Sequence, residues 1–177
     1  LTYGNYPYGI RVQDEKISLN VPDVIKVHGI YESSNTEDAV LPNLILGSMD
    51  GPTGKTSDLV IGEEFIGSVS GARGMYAVEV NDSKISFIYL NKNNFQDGEV
   101  VNFLDSGVNG IVSTLDQGST NITDNYVFYN GQTLTHYDYS YILRKQGVAA
   151  PTRSVKIIYT KGYYNVTDTG DITTVNS

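Results

Sequence analysis

Nowhere in this chain do ten consecutive residues carry apolar side chains at a 3.6 period between helix caps. What recurs instead is a period of two. Tyr76, Val78 and Val80 alternate with Met75, Ala77 and Glu79, and Ile85, Phe87 and Tyr89 alternate with Lys84 and Ser86. In an extended chain successive side chains point to opposite faces, so each set shares one face of a strand. Asn81-Asp82-Ser83 lies between them, and Asn and Asp bond their own backbone and tolerate turn geometry. A β-hairpin is expected here, with Tyr76, Val78 and Val80 on one face of its first strand.

The same signals extend along the chain. Strands are expected over 17–21, 24–31, 43–46, 59–61, 100–103, 110–114 and 155–159, and a weaker one over 172–175. Asn130-Gly131 predicts a two-residue hairpin joining 126–129 to 132–135. About a dozen short strands at intervals of roughly 8–12 residues is the pattern of sandwiches and barrels. The expected fold class is all-β, a sandwich or small barrels of short, mainly antiparallel strands. The middle of the chain is dense strand–turn–strand, whereas the flanks hold the longer loops. That contrast predicts a small inserted barrel over 62–118, with 1–61 and 119–177 forming one outer β domain. Neither an internal repeat nor a low-complexity block stands out.

Composition narrows the chemistry. A length of 177 residues suits one domain or two small ones. Fourteen tyrosines beside two methionines and no tryptophan fit a strand-rich chain. A net charge of −8 repels phosphates and disfavours nucleic acid as a partner. With no cysteine, disulfides, thiolate metal sites and a cysteine nucleophile are excluded. No apolar run approaches the roughly 20 residues of a membrane-spanning helix, so no membrane partner is expected. The chain opens without Met and stops within an expected strand, as a fragment of a longer polypeptide would.

The catalytic motifs are all incomplete. Gly51-Pro52-Thr53-Gly54-Lys55-Thr56 looks like the end of a phosphate-binding loop, but Met49 occupies the position of the first glycine. The expected sequel is a strand rather than the helix that would hold phosphate, so a surface turn is expected. Gly67-Ser68-Val69-Ser70-Gly71 has Val69 where a nucleophile elbow needs serine, and a tight turn fits better. His28 and His136 have no second histidine at ligand spacing, so no metal site is expected. Asp168 and Asp171 lack the spacing of a calcium loop, which leaves an Asx-type turn as the expectation. Asp14-Glu15 and Glu63-Glu64 are adjacent pairs, and adjacent strand residues face opposite ways. They cannot share a substrate as a general acid and base must. Asn121-Ile122-Thr123 and Asn165-Val166-Thr167 match the glycosylation sequon, which has meaning only in a secreted chain. The tyrosines of the last third, above all Tyr129, Tyr137, Tyr139 and Tyr141, are the candidate contact residues for a partner or a glycan.

Four phrases point beyond the bulk chemistry. They are residues 24–33 (VIKVHGIYES), the segment 65–80 with Ser70-Gly71-Ala72, residues 95–99 (FQDGE), and residues 137–145 (YDYSYILRK) with Ala150-Pro151-Thr152-Arg153. In these the chain resembles a segment of the large virion structural proteins, of tail, baseplate or fibre type, of T4-like marine cyanophages. The resemblance implies a non-enzymatic building block of a virion, without catalytic residues or cofactor. Its implied partners are other virion proteins, including further copies of itself. A carbohydrate-binding module for host surface glycan is the alternative expectation.

Overall fold

The structure is a computed structural model that describes residues 8–9, 11–133 and 136–162. It is all-β, and no α-helix occurs among the described residues. In chain order the strands are β1 (Tyr8–Gly9), β2 (Lys16–Ser18), β3 (Val24–Glu32), β4 (Asn43–Met49), β5 (Glu64–Gly67), β6 (Arg73–Asn81), β7 (Lys84–Tyr89) and β8 (Val100–Phe103). They continue with β9 (Asn109–Asp116), β10 (Thr120–Asn121), β11 (Tyr126–Tyr129), β12 (Gln132–Thr133), β13 (His136–Tyr137), β14 (Tyr141–Arg144) and β15 (Val155–Lys161). The expected strand at 172–175 lies outside the described residues.

Two compact units divide the chain. Residues 40–119 form one, and 1–39 with 120–177 form the other. The inserted unit is a closed six-stranded barrel in the order β4-β7-β6-β5-β8-β9, antiparallel throughout. It starts well before Gly62, because β4 is one of its walls and bonds both β7 and β9. Closure removes the open edges that a six-stranded sheet would otherwise present. Phe65, Phe87, Phe95 and Phe103 fill the interior with Leu44, Leu46, Tyr76, Ile85, Val101 and Val112. Phe65 is at the centre, with ring centroids 4.9 Å from Phe103, 5.1 Å from Phe95 and 5.6 Å from Phe87.

The alternation in β6 does not run to its end. Tyr76 is buried, but Val78 and Val80 are 52% and 49% exposed. The register slips between Tyr76 and Val78 and again between Glu79 and Asn81, so two bulges turn the strand out of the wall. Residues 59–61 form no strand either. They are a turn in which the Glu63 N–H donates to the Val60 carbonyl at 3.0 Å.

Gly74 is where the barrel wall has no room for a side chain. A Cβ there would lie 2.5 Å from the Phe65 ring. Gly74→Ala is expected to overpack the core at a cost of about 1–3 kcal/mol, measured by urea unfolding.

In the other unit, one sheet runs β1-β2-β14-β11 and another β10-β3-β15. Ile17, Tyr126 and Ile142 of the first sheet share a core with Ile30 and Ile122. The pairing around Asn130-Gly131 differs from the expected hairpin. β11 pairs with β14, whereas β12 pairs with β13. Gly131 takes φ 79°, and the Ser140 hydroxyl donates to the Asn130 carbonyl at 3.0 Å. The turn chemistry is present, but it leads out of the sheet rather than back along β11.

Candidate functional site

The barrel is built from two matching halves. Within it Glu64, Phe65 and Ile66 pair with Met75, Gly74 and Arg73. At one constant offset along the chain, Val100, Val101 and Asn102 pair with Ile111, Gly110 and Asn109. The two halves meet where Phe65 pairs with Phe103 and Gly67 with Val101, on either side of Ile66 opposite Asn102. An approximate twofold axis through that central pair exchanges β5 with β8 and β6 with β9. On the far wall Leu44 faces Ile85, with Asn43–Ser86 and Ile45–Lys84 on either side, so the same axis exchanges β4 with β7.

The sequence carries the duplication thinly. Gly62-Glu63, Phe65, Ser70-Gly71-Ala72 and Gly74 match Gly98-Glu99, Val101, Ser106-Gly107-Val108 and Gly110. Gly62 and Gly98 take φ 94° and 84°, and Gly71 and Gly107 take φ 61° and 71°. Such left-handed positions suit glycine, which has no Cβ to clash.

The polar centres of the barrel are the two repeated glutamates. Glu63 is 1% exposed and Glu99 4%. Each binds the turn of the opposite half. Glu99 Oε2 accepts the N–H groups of Val69 and Ser70 at 3.1 and 3.0 Å. Its Oε1 accepts the Ser70 hydroxyl at 2.9 Å and the Gln96 N–H at 2.7 Å. Glu63 does the same for the other turn. Its Oε2 accepts the N–H groups of Asp105 and Ser106 at 3.0 and 2.9 Å, and its Oε1 accepts the Ser106 hydroxyl at 3.0 Å. The Val60 N–H donates to Glu63 Oε1 at 2.6 Å, as that of Gln96 does to Glu99. Burial alone would push the Glu99 carboxyl upward. The donors from Ser70, Gln96 and Val69 outweigh it and hold the group below the usual carboxylate range.

The loop that resembles a phosphate-binding sequence is occupied by its own acid. Asp58 Oδ2 accepts the Thr53 N–H at 2.8 Å and the Lys55 N–H at 3.4 Å, and Oδ1 accepts the Thr53 hydroxyl at 2.8 Å. The carboxylate sits where loop amides would otherwise meet an anion. Ser70, in the turn that resembles a nucleophile elbow, gives its hydroxyl to Glu99.

Among the candidate tyrosines, two come together. Tyr129 and Tyr141 are register partners whose rings stack at 4.9 Å and 12°. β14 lies between β2 and β11, so Lys16 approaches Tyr141 from the other side, 3.8 Å from its ring centroid. Tyr129 remains 42% exposed, and Tyr139, 55% exposed, stands apart in the link before β14. Tyr137 lies in β13, with its side chain outside the described residues.

His28 Nε2 is 2.7 Å from the Thr160 hydroxyl. Burial, and then the Lys26 charge, lower its pKa, so the ring is neutral at pH 7. The side chain of His136 is outside the described residues, as are Asp168, Asp171 and the sequon at Asn165. Asn121 of the other sequon is held in an Asx turn, its Oδ1 accepting the Thr123 N–H at 3.0 Å. Among the described residues no three His, Asp or Glu side chains gather as a metal-binding group.

The chain matches no family model, no curated protein and no solved structure.

Proposed function

We propose that this chain is a non-enzymatic structural module of a phage virion and works through protein–protein contacts. The observation that supports this reading is where its acidic side chains are engaged. Glu63 and Glu99 cap turns of the barrel, Asp58 caps its own loop, and Asp50 Oδ1 accepts the Asn109 N–H at 2.6 Å. Carboxylates bound to backbone in this way have their hydrogen-bonding capacity taken up inside the fold, which suits a part that works by contact rather than by chemistry. The resemblance of the sequence to cyanophage virion proteins points in the same direction.

The test is mass spectrometry of purified particles. Recovery of this polypeptide at a fixed ratio to other structural proteins is expected. Its absence from particles in which the other structural proteins are all recovered would overturn the reading. Tyr129, stacked and half-open, supports a second reading as a glycan contact. A glycan array probed with the wild-type chain and with Tyr129→Ala separates the two. Glycan binding that Tyr129→Ala abolishes would favour the second.

A further inference from the structure

An Asn or Asp followed by glycine is a step at which a chain can attack itself. The next amide nitrogen closes on the side-chain carbonyl carbon, and glycine has no side chain to obstruct the approach. The sequence holds four such steps, Asp50-Gly51, Asp97-Gly98, Asn109-Gly110 and Asn130-Gly131. The fold ties up three of them. Asp50 Oδ1 accepts the Asn109 N–H at 2.6 Å. Asp97 Oδ1 accepts the Leu115 N–H at 3.0 Å, and the Gly98 N–H donates to the Val112 carbonyl at 2.7 Å. Asn109 donates its Nδ2 to Asp50 Oδ2 at 2.8 Å, and Gly110 is fixed in β9 between Met49 of β4 and Val101 of β8.

Asn130 is arranged differently. It is exposed, in the turn between β11 and β12. Its Oδ1 accepts the Gln132 N–H at 3.1 Å, which folds the side chain over Gly131. The same donor faces the oxygen on which negative charge develops when the carbonyl carbon is attacked. Among the described residues no acceptor takes the Gly131 N–H, and none takes Asn130 Nδ2. The carbonyl is polarised while the nucleophile and the leaving nitrogen are both untied.

We propose that Asn130 is a self-modification site, at which the folded chain converts its own amide to a carboxylate. The Gly131 nitrogen bonds to Asn130 Cγ, the Cγ–Nδ2 bond breaks, and Nδ2 leaves as ammonia with the proton that the Gly131 nitrogen gave up. Water then opens the cyclic imide at one of its two carbonyls. One opening leaves aspartate at 130, and the other leaves isoaspartate, whose main chain runs through the side-chain carbon. The inference stands apart from the assembly reading and needs no partner.

Either product disturbs a crowded turn. The new charge joins Asp23, whose Oδ1 accepts Gln132 Nε2 at 3.0 Å, and Asp138, whose N–H donates to the Gly131 carbonyl at 3.2 Å. Like charges at short range repel. Isoaspartate also lengthens the main chain where there is no slack, since a Cβ on Gly131 would collide with the Asp138 and Tyr139 carbonyl oxygens. The Asn130 carbonyl accepts the hydroxyl of the fully buried Ser140, and Ser140 Oγ in turn accepts the Val24 N–H at 3.2 Å. Modification at 130 therefore loosens the junction between β3 and the approach to β14.

Ageing the purified chain in mild alkali, folded and in urea, tests this. Fragmentation mass spectrometry locates each exchange of ammonia for water. In the folded chain Asn130 is expected to convert at least tenfold faster than Asn109, with isoaspartate among the products. In urea the two should convert at closely similar rates, because glycine follows both. Asn130→Ser keeps an oxygen for the Gln132 N–H but has no carbonyl to attack. The urea midpoint of the wild-type chain should fall with age while that of Asn130→Ser holds. Conversion of Asn130 no faster than Asn109 in the folded chain, a difference that persists in urea, or an aged wild-type chain as stable as a fresh one overturns the proposal.

Discussion

Phe65→Ala is expected to lower the stability of the barrel unit by about 3–5 kcal/mol, read as a drop in the urea midpoint without a change in slope. The ring is fully buried and touches Phe87, Phe95 and Phe103. Removing it withdraws a large apolar area and leaves a cavity between side chains anchored on different strands. The backbone cannot collapse into that space, because Phe65 pairs with Gly74 on one side and Phe103 on the other, within a ring closed by hydrogen bonds. Gly74 makes the point sharper. It lacks a side chain where the ring lies, so nothing on the neighbouring strand can swing in to fill the gap. Phe65→Leu keeps much of the volume and should cost less than half as much. Equal losses from the two substitutions would show that shape rather than buried volume governs this core.

Much of the architecture could be read from local pattern. Period-two alternation identified β2, β7 and the first part of β6, the density of β-branched residues identified β3, and the absence of helical spacing gave the class. What failed was long-range. β4 was legible as a strand, but nothing within Asn43–Met49 reveals that its neighbours are β7 and β9, so the start of the barrel was misplaced. Asn130-Gly131 turns the chain as its chemistry demands, yet the partner of β11 lies beyond it at β14. Val78 and Val80 followed the alternation in sequence and broke it in space, because a bulge shifts which face a side chain takes.

The duplication was the larger omission. Its signal was present in the paired Gly-Glu and Ser-Gly steps, but the intervening residues diverge almost completely. Those four steps are the ones that backbone geometry and hydrogen bonding require, and the rest need only be apolar inside and soluble outside. The buried glutamates were missed for a related reason. In the sequence Glu63 stood only as half of an adjacent acidic pair and Glu99 had no role, since most of their donors come from the opposite half of the barrel.

Those glutamates carry the second large prediction. Glu99→Ala is expected to cost about 3 kcal/mol or more, because it strands the N–H groups of Val69, Ser70 and Gln96 together with the Ser70 hydroxyl, and each buried orphan costs about 1–3 kcal/mol. Glu63→Ala should behave alike, since it caps the other turn with the matching set of donors. Glutamine tests the role of charge. It keeps the shape but replaces one acceptor oxygen with a donor facing other donors, so Glu99→Gln should recover little of the loss. Acid should reproduce the effect in the wild-type chain. The Glu99 carboxyl is held below its ordinary range in the fold, so the unfolded chain binds its proton more readily. Its stabilising contribution is therefore complete above the ordinary carboxylate range of about 4.5 and is lost as pH falls through the lower folded value. Unfolding midpoints measured from pH 7 down to pH 3 should fall for the wild type and fall less for Glu99→Gln. Parallel curves for the two proteins would mean that the carboxylate is not what holds the turn.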